Sequence, residues 1–111
     1  MTRPTGTVEP IGELLLDYIE ARGLRRPMQL AMARRLWPEI CGPRAAQVSR
    51  PAMLQRDVLT VRVTDSVWLQ ELSMQKPTLL TRLAEAMLDD MAPTDLRFIL
   101  AGSLEGDSGG A

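Results

Sequence analysis

The sequence predicts an α+β domain in which a small three-stranded sheet is packed by helices. Three observations carry this. Apolar residues recur at helical spacing up to about Ser49, the period switches to strict alternation at residues 59–63, and helical spacing returns from Val67 before a last apolar run at 96–100. The resulting order, after one extra N-terminal helix, is helix, strand, strand, helix, helix, strand.

Each element has a local reason. Residues 1–8 are turn-formers without periodicity and read as a loose end. Pro10 suits the first turn of a helix, with Glu9 and Glu13 beside its positive end. Ile11, Leu14, Leu15, Tyr18 and Ile19 then follow helical spacing, and Arg22-Gly23 is a stop. A second helix is expected from about Met28, with Leu30, Ala33, Trp37 and Ile40 on one stripe and Arg34 and Arg35 facing away. Pro38 lacks an amide hydrogen and predicts a kink or break, and Gly42-Pro43 a further one before a short helical turn towards Ser49.

Pro51 to Gln55 reads as a short strand, with Pro51 tolerated at its first residue or on an edge. Leu59, Val61 and Val63 alternate with Thr60, Arg62 and Thr64, the mark of a half-buried strand. Arg56-Asp57 has hairpin length but no glycine, which predicts a looser turn. Asp65 or Ser66 caps a helix over Val67 to about Met74, with Trp68, Leu69 and Leu72 on its apolar side. Lys76-Pro77 interrupts it. A further helix is expected from Pro77 to about Asp90, aligning Leu80, Leu83, Met87 and Met91. Leu96 to Leu100 reads as the final strand, and residues 103–111 as a disordered acidic tail, leaving one domain over 9–102.

Composition removes several chemistries. The 111 residues include no histidine, which excludes Ser-His-Asp triads, Cys-His dyads and His-ligated metals. A single cysteine, Cys41, forms neither an internal disulfide nor a thiolate cluster, and its apolar stripe reads as a buried structural thiol. Asp89 and Asp90 are expected to be adjacent on a helix, pointing about 100° apart, and so not a convergent carboxylate pair. No catalytic constellation emerges, and the expectation is a protein that is not an enzyme and takes no cofactor or metal. With no apolar leader and no run of eighteen apolar residues, it is expected to be soluble and cytoplasmic.

The net charge of −1 conceals a polarised chain. Residues 1–20 carry −3, residues 21–62 carry +7 from nine arginines against Glu39 and Asp57, and residues 63–111 carry −5. Arginine's planar fork suits phosphate or carboxylate. Arg44, Arg50, Arg56 and Arg62 recur every six residues, and a hairpin folded beside the second helix would gather them into a patch that tracks phosphates without reading sequence. A solvated surface is the plain alternative. Trp37 reads as core. For Trp68, core and exposed partner anchor both stand.

The run Leu36-Trp37-Pro38-Glu39-Ile40-Cys41-Gly42, then Ala46 to Pro51, Leu59-Thr60-Val61-Arg62-Val63 and Ser66 to Leu72, resembles the DciA family over roughly residues 10–102. The resemblance implies a bacterial replication protein that acts with the replicative helicase DnaB and helps load it on single-stranded DNA, without an ATPase of its own. It also implies a K-homology-like domain of the type II order. The junction Met74-Gln75-Lys76-Pro77 lacks the Gly-x-x-Gly of RNA-clamping K-homology domains. The expected sites are therefore Arg44, Arg50, Arg56 and Arg62 for weak contact with DNA, and Trp68, Gln70 and Glu71 for the protein partner. The alternatives are an interaction adaptor that does not bind DNA, its Arg patch meeting an acidic partner, and an RNA-binding K-homology-like module.

Overall fold

The computed structural model describes residues 14, 15, 17–88 and 90–105. The loose end at 1–8, the helix start at Pro10 and Ile11, and residues 106–111 of the tail lie outside it. Residues 17–21 are helical (α1) and end where Gly23 adopts φ +68°. The Gly23 amide donates to the Glu20 carbonyl (3.1 Å) and the Leu24 amide to the Ile19 carbonyl (2.8 Å), so the stop at Arg22-Gly23 is a Schellman cap. Of the apolar positions expected on this helix, Ile19 is buried, whereas Leu14, Leu15 and Tyr18 are exposed.

Helix α2 (Arg25–Cys41) begins three residues before the expected Met28, because Pro27 falls in its first turn, where a missing N–H deprives the helix of nothing. Pro38 does not break it either. It falls in the last turn, where a single intrahelical bond is lost, and its carbonyl still accepts the Gly42 amide at 2.9 Å. Burial of Trp37 and Ile40 on either side holds that turn in place. Gly42 at φ +97° then turns the chain, and Pro43 starts α3 (Pro43–Gln47).

Strands β1 (Ser49–Gln55) and β2 (Val58–Val63) pair antiparallel, and β3 (Asp95–Leu100) lies parallel to β2, giving the order β1-β2-β3. Pro51 is the third residue of β1, not the first. It is accommodated because β1 is an edge strand whose register shifts between Pro51 and Met53, a bulge. The Arg34 Nε donates to the Pro51 carbonyl at 2.9 Å.

The hairpin turn corrects the expectation of a loose connection. Gln55 pairs with Val58, leaving two turn residues, Arg56 at φ +52° and Asp57 at φ +65°. Positive φ at both is the condition of a type I′ turn, whose twist matches that of the strands. Asp57 tolerates this conformation, and the buried cross-strand pair Leu54–Leu59 holds the register although glycine is missing. Thr60 is also buried rather than solvent-facing. It lies on the central strand, flanked in register by Met53 and Arg97.

Helix α4 (Ser66–Met74) is capped by Asp65, whose carboxylate accepts the amides of Val67 (2.8 Å) and Trp68 (3.1 Å). The chain breaks at Gln75, and α5 (Lys76–Ala86) starts with Lys76-Pro77. The helix stops four residues short of Asp90. Met87 turns extended, and the Gln29 side-chain amide donates to the Met91 carbonyl at 2.9 Å while the Arg25 guanidinium reaches the Asp90 carbonyl. These tertiary bonds and the burial of Met87 and Met91 outweigh further helical turns. Asp90 therefore lies in a turn at φ +65°, not on a helix; Asp89 is outside the described residues. On α5 the buried positions are Leu79 and Leu83, with Leu80 half-buried.

One core follows. Trp37, Leu72, Leu79 and Leu83 from the helices meet Leu59, Val61, Val63 and Leu96 from the sheet. Arg50, Met53, Arg62 and Arg97 belong to the opposite sheet face, outside that cluster. The result is a three-stranded mixed sheet packed by helices, with an element order compatible with the K-homology-like arrangement.

Candidate nucleic-acid interface

Register places two of the four expected arginines side by side. Arg50 on β1 and Arg62 on β2 are direct cross-strand partners, and both project from the face opposite the core. Directly opposed like charges repel across a sheet, so this pair costs stability and concentrates positive potential. The Arg62 Nε donates to the Ser103 carbonyl at 3.0 Å, which steadies the stem of that side chain. Arg50 lines a cavity of about 240 Å³ with Arg34, Trp37, Pro38 and Leu104.

Arg56 is not with them. It tops the hairpin at the far end of β1, roughly 20 Å away at the rise of an extended strand. There it lines a second cavity, of about 380 Å³, with Arg26 from the start of α2, Arg97 from β3, Gln55, Val58 and Thr60. Arg44 stands apart on α3, exposed and lining neither cavity. The six-residue recurrence thus marks the two ends of one sheet face rather than a single cluster of four.

Arg26, Arg34 and Arg97 were missed by sequence reasoning. Arg97 lies in the acidic block, and only the parallel pairing of β3 with β2 sets it beside Thr60. The alternation of Asp95, Arg97 and Ile99 along the last strand was the available signal. Asp95 is the acidic residue on this face near the second cavity, as the register partner of Val58. Its carboxylate accepts the Leu96 amide (2.8 Å) and lies 3.3 Å from the Lys76 ammonium, and these contacts hold its pKa below the usual value, the amide bond most of all.

The expected partner residues divide. Gln70 and Glu71 are exposed on α4, whereas Trp68 is half-buried and packs against the core. Val67 and Met74, 73% and 71% exposed, flank Gln70 and Glu71 at helical spacing and complete one outward strip. Their spacing of seven was the signal that pointed to them.

The remaining polar groups of interest have structural work. Trp37 is buried, and its indole N–H donates to the Ser49 hydroxyl (2.9 Å), which donates to the Ala45 carbonyl (2.6 Å). This chain ties α2, β1 and α3 together. The Cys41 thiol is half-buried, and burial pushes its pKa up to about 11, so it stays protonated at neutral pH. Among the described residues no three His, Cys, Asp or Glu side chains gather to hold a metal ion, and no helix is long and apolar enough to cross a membrane.

The chain is thus a helix-backed sheet whose other face carries a pair of opposed arginines, in an element order compatible with the K-homology-like arrangement. The family model described as Dna[CI] antecedent, DciA, matches residues 10–98, and the chain belongs to the DciA family. That membership gives it, in general terms, the role of an accessory protein in loading the replicative helicase, in a family not known for enzymes. None of the curated proteins compared matches the chain.

Proposed function

We propose that the chain binds the replicative helicase DnaB and assists its loading on single-stranded DNA, touching the DNA weakly and without sequence preference through phosphates. The observation that carries the DNA part is the sheet face opposite the core, with the Arg50–Arg62 pair at one end and Arg26, Arg56 and Arg97 at the other. Guanidiniums spaced along a strand match a phosphate backbone, and no aromatic side chain lines either end to stack a base, apart from the buried Trp37. Arg44 belongs to the expected DNA set but is separated from this face. For the helicase, Gln70 and Glu71 supply polar contacts and Val67 and Met74 apolar ones, with Trp68 anchoring the same helix against the core.

A salt titration of single-stranded DNA binding tests the first half. Two to four phosphate contacts give a log–log slope of roughly −1.5 to −3, and an affinity indifferent to salt rejects the phosphate reading. Co-purification with DnaB after nuclease treatment tests the second half. Val67→Glu/Met74→Glu abolishes recovery if the α4 strip is the contact, and undiminished recovery rejects it.

A further inference from the structure

We infer that the cavity at the hairpin end of that sheet face is a binding site for a doubly charged phosphate group, either the terminal phosphomonoester of a strand or the end of a polyphosphate chain. The inference rests on the phosphate-contacting face proposed above and sharpens one end of it.

The lining itself selects the ligand. Arg26, Gln55, Arg56, Thr60 and Arg97 all carry hydrogen-bond donors, Val58 is the one apolar member, and no carboxylate lines the cavity. The nearest carboxylate in register, Asp95, is already engaged with the Leu96 amide and Lys76. The side chains of Arg26, Arg56 and Arg97 have neither an ion pair nor a hydrogen bond among the described residues. Three arginines from α2, the hairpin and β3 therefore line one space with no carboxylate among its walls. Their mutual repulsion is relieved by an anion.

Charge and shape then separate the candidate anions. An internal phosphodiester carries one negative charge and leaves two of three guanidiniums uncompensated. A terminal phosphate carries about −1.5 to −2 at neutral pH and offers three acceptor oxygens, a match for three planar forks. The volume of about 380 Å³ is that of a small-ligand site. Arg56 adds a second hint, since a non-glycine residue at φ +52° is held there at a cost on the order of 1 kcal/mol.

The test uses the full chain and a 3′-labelled twelve-nucleotide strand with or without a 5′-phosphate, read by anisotropy, with pyrophosphate titrated separately and followed by backbone NMR. The phosphorylated strand should bind about five- to tenfold tighter, and Arg56→Gln or Arg97→Gln should erase that gain so that the two strands bind alike, whereas Arg50→Gln/Arg62→Gln should weaken both strands and keep the gain. Circular dichroism confirms that each variant is folded. Pyrophosphate shifting the amides of Gln55 and Thr60, with the two strands binding alike, assigns the site to a free polyphosphate and supports the inference. Equal salt-sensitive binding of both strands with no pyrophosphate response overturns it and leaves the proposed function standing. Pyrophosphate binding with no binding of either strand does the reverse.

Discussion

The two faces of the sheet are built from the same strands and differ in almost every physical respect. Towards the helices, Leu59, Val61, Val63 and Leu96 are at most 1% exposed and form the core with Trp37, Leu72, Leu79 and Leu83. On the other face, Arg50, Arg62 and Arg97 alternate with inward-facing residues of the same strands and lie outside that core. One face therefore holds the stability and the other the charge. A substitution on one should leave the property of the other nearly untouched, because the backbone between them is held by the ladder.

The largest expected effect breaks the core side. Leu83→Ala should lower unfolding free energy by about 3 kcal/mol in a urea titration, because it empties a fully buried site. A loss under 1 kcal/mol would mean that α5 is not seated as described. On the other face, the double variant Arg50→Ala/Arg62→Ala should weaken single-stranded DNA binding about tenfold and flatten the salt slope by about 1.4, with stability unchanged or slightly raised as the opposed charges are removed. A comparable fall in stability would erase the division between the faces.

Two smaller effects sharpen it. Arg56→Gly should raise stability by about 0.5 kcal/mol in the same titration, since glycine adopts the left-handed turn without strain, while DNA affinity falls. Both quantities moving down would show that the Arg56 side chain also holds the fold. Asp95 has a folded pKa held below its ordinary 3.8, so it contributes stability above that pH, lost as pH falls through the depressed value. Asp95→Asn should therefore narrow the stability gap between pH 7 and pH 2 and differ from the parent chain by a constant amount above pH 5. Comparing denaturation midpoints along that range checks it.

What was legible in the chain divides along local and non-local lines. The strand over residues 59–63, the Gly23 stop and the Asp65 cap follow from neighbours within a turn or two, and each is found where the residues predict it, although Thr60 is buried on the strand's second face. The hairpin turn was misjudged because tertiary register forced positive φ on Arg56 and Asp57 in the absence of glycine. The end of α5 was placed too late because Gln29 and Arg25, some sixty residues earlier, capture the carbonyls of Met91 and Asp90. The candidate site suffered most. Spacing by six brought Arg50 and Arg62 together only through pairing, sent Arg56 to the other end, and gave no notice of Arg26 or Arg97.

Pro51 has a consequence for how the molecule behaves in company. A β-edge is an invitation to a passing strand, and β1 is an edge of this sheet. Here the proline presents no amide, the bulge beside it breaks the ladder's rhythm, and the guanidinium of Arg34 already occupies the Pro51 carbonyl. A second chain arriving at that edge finds neither a donor nor a free acceptor at its middle. Copies of the domain can thus be crowded together without zipping along β1.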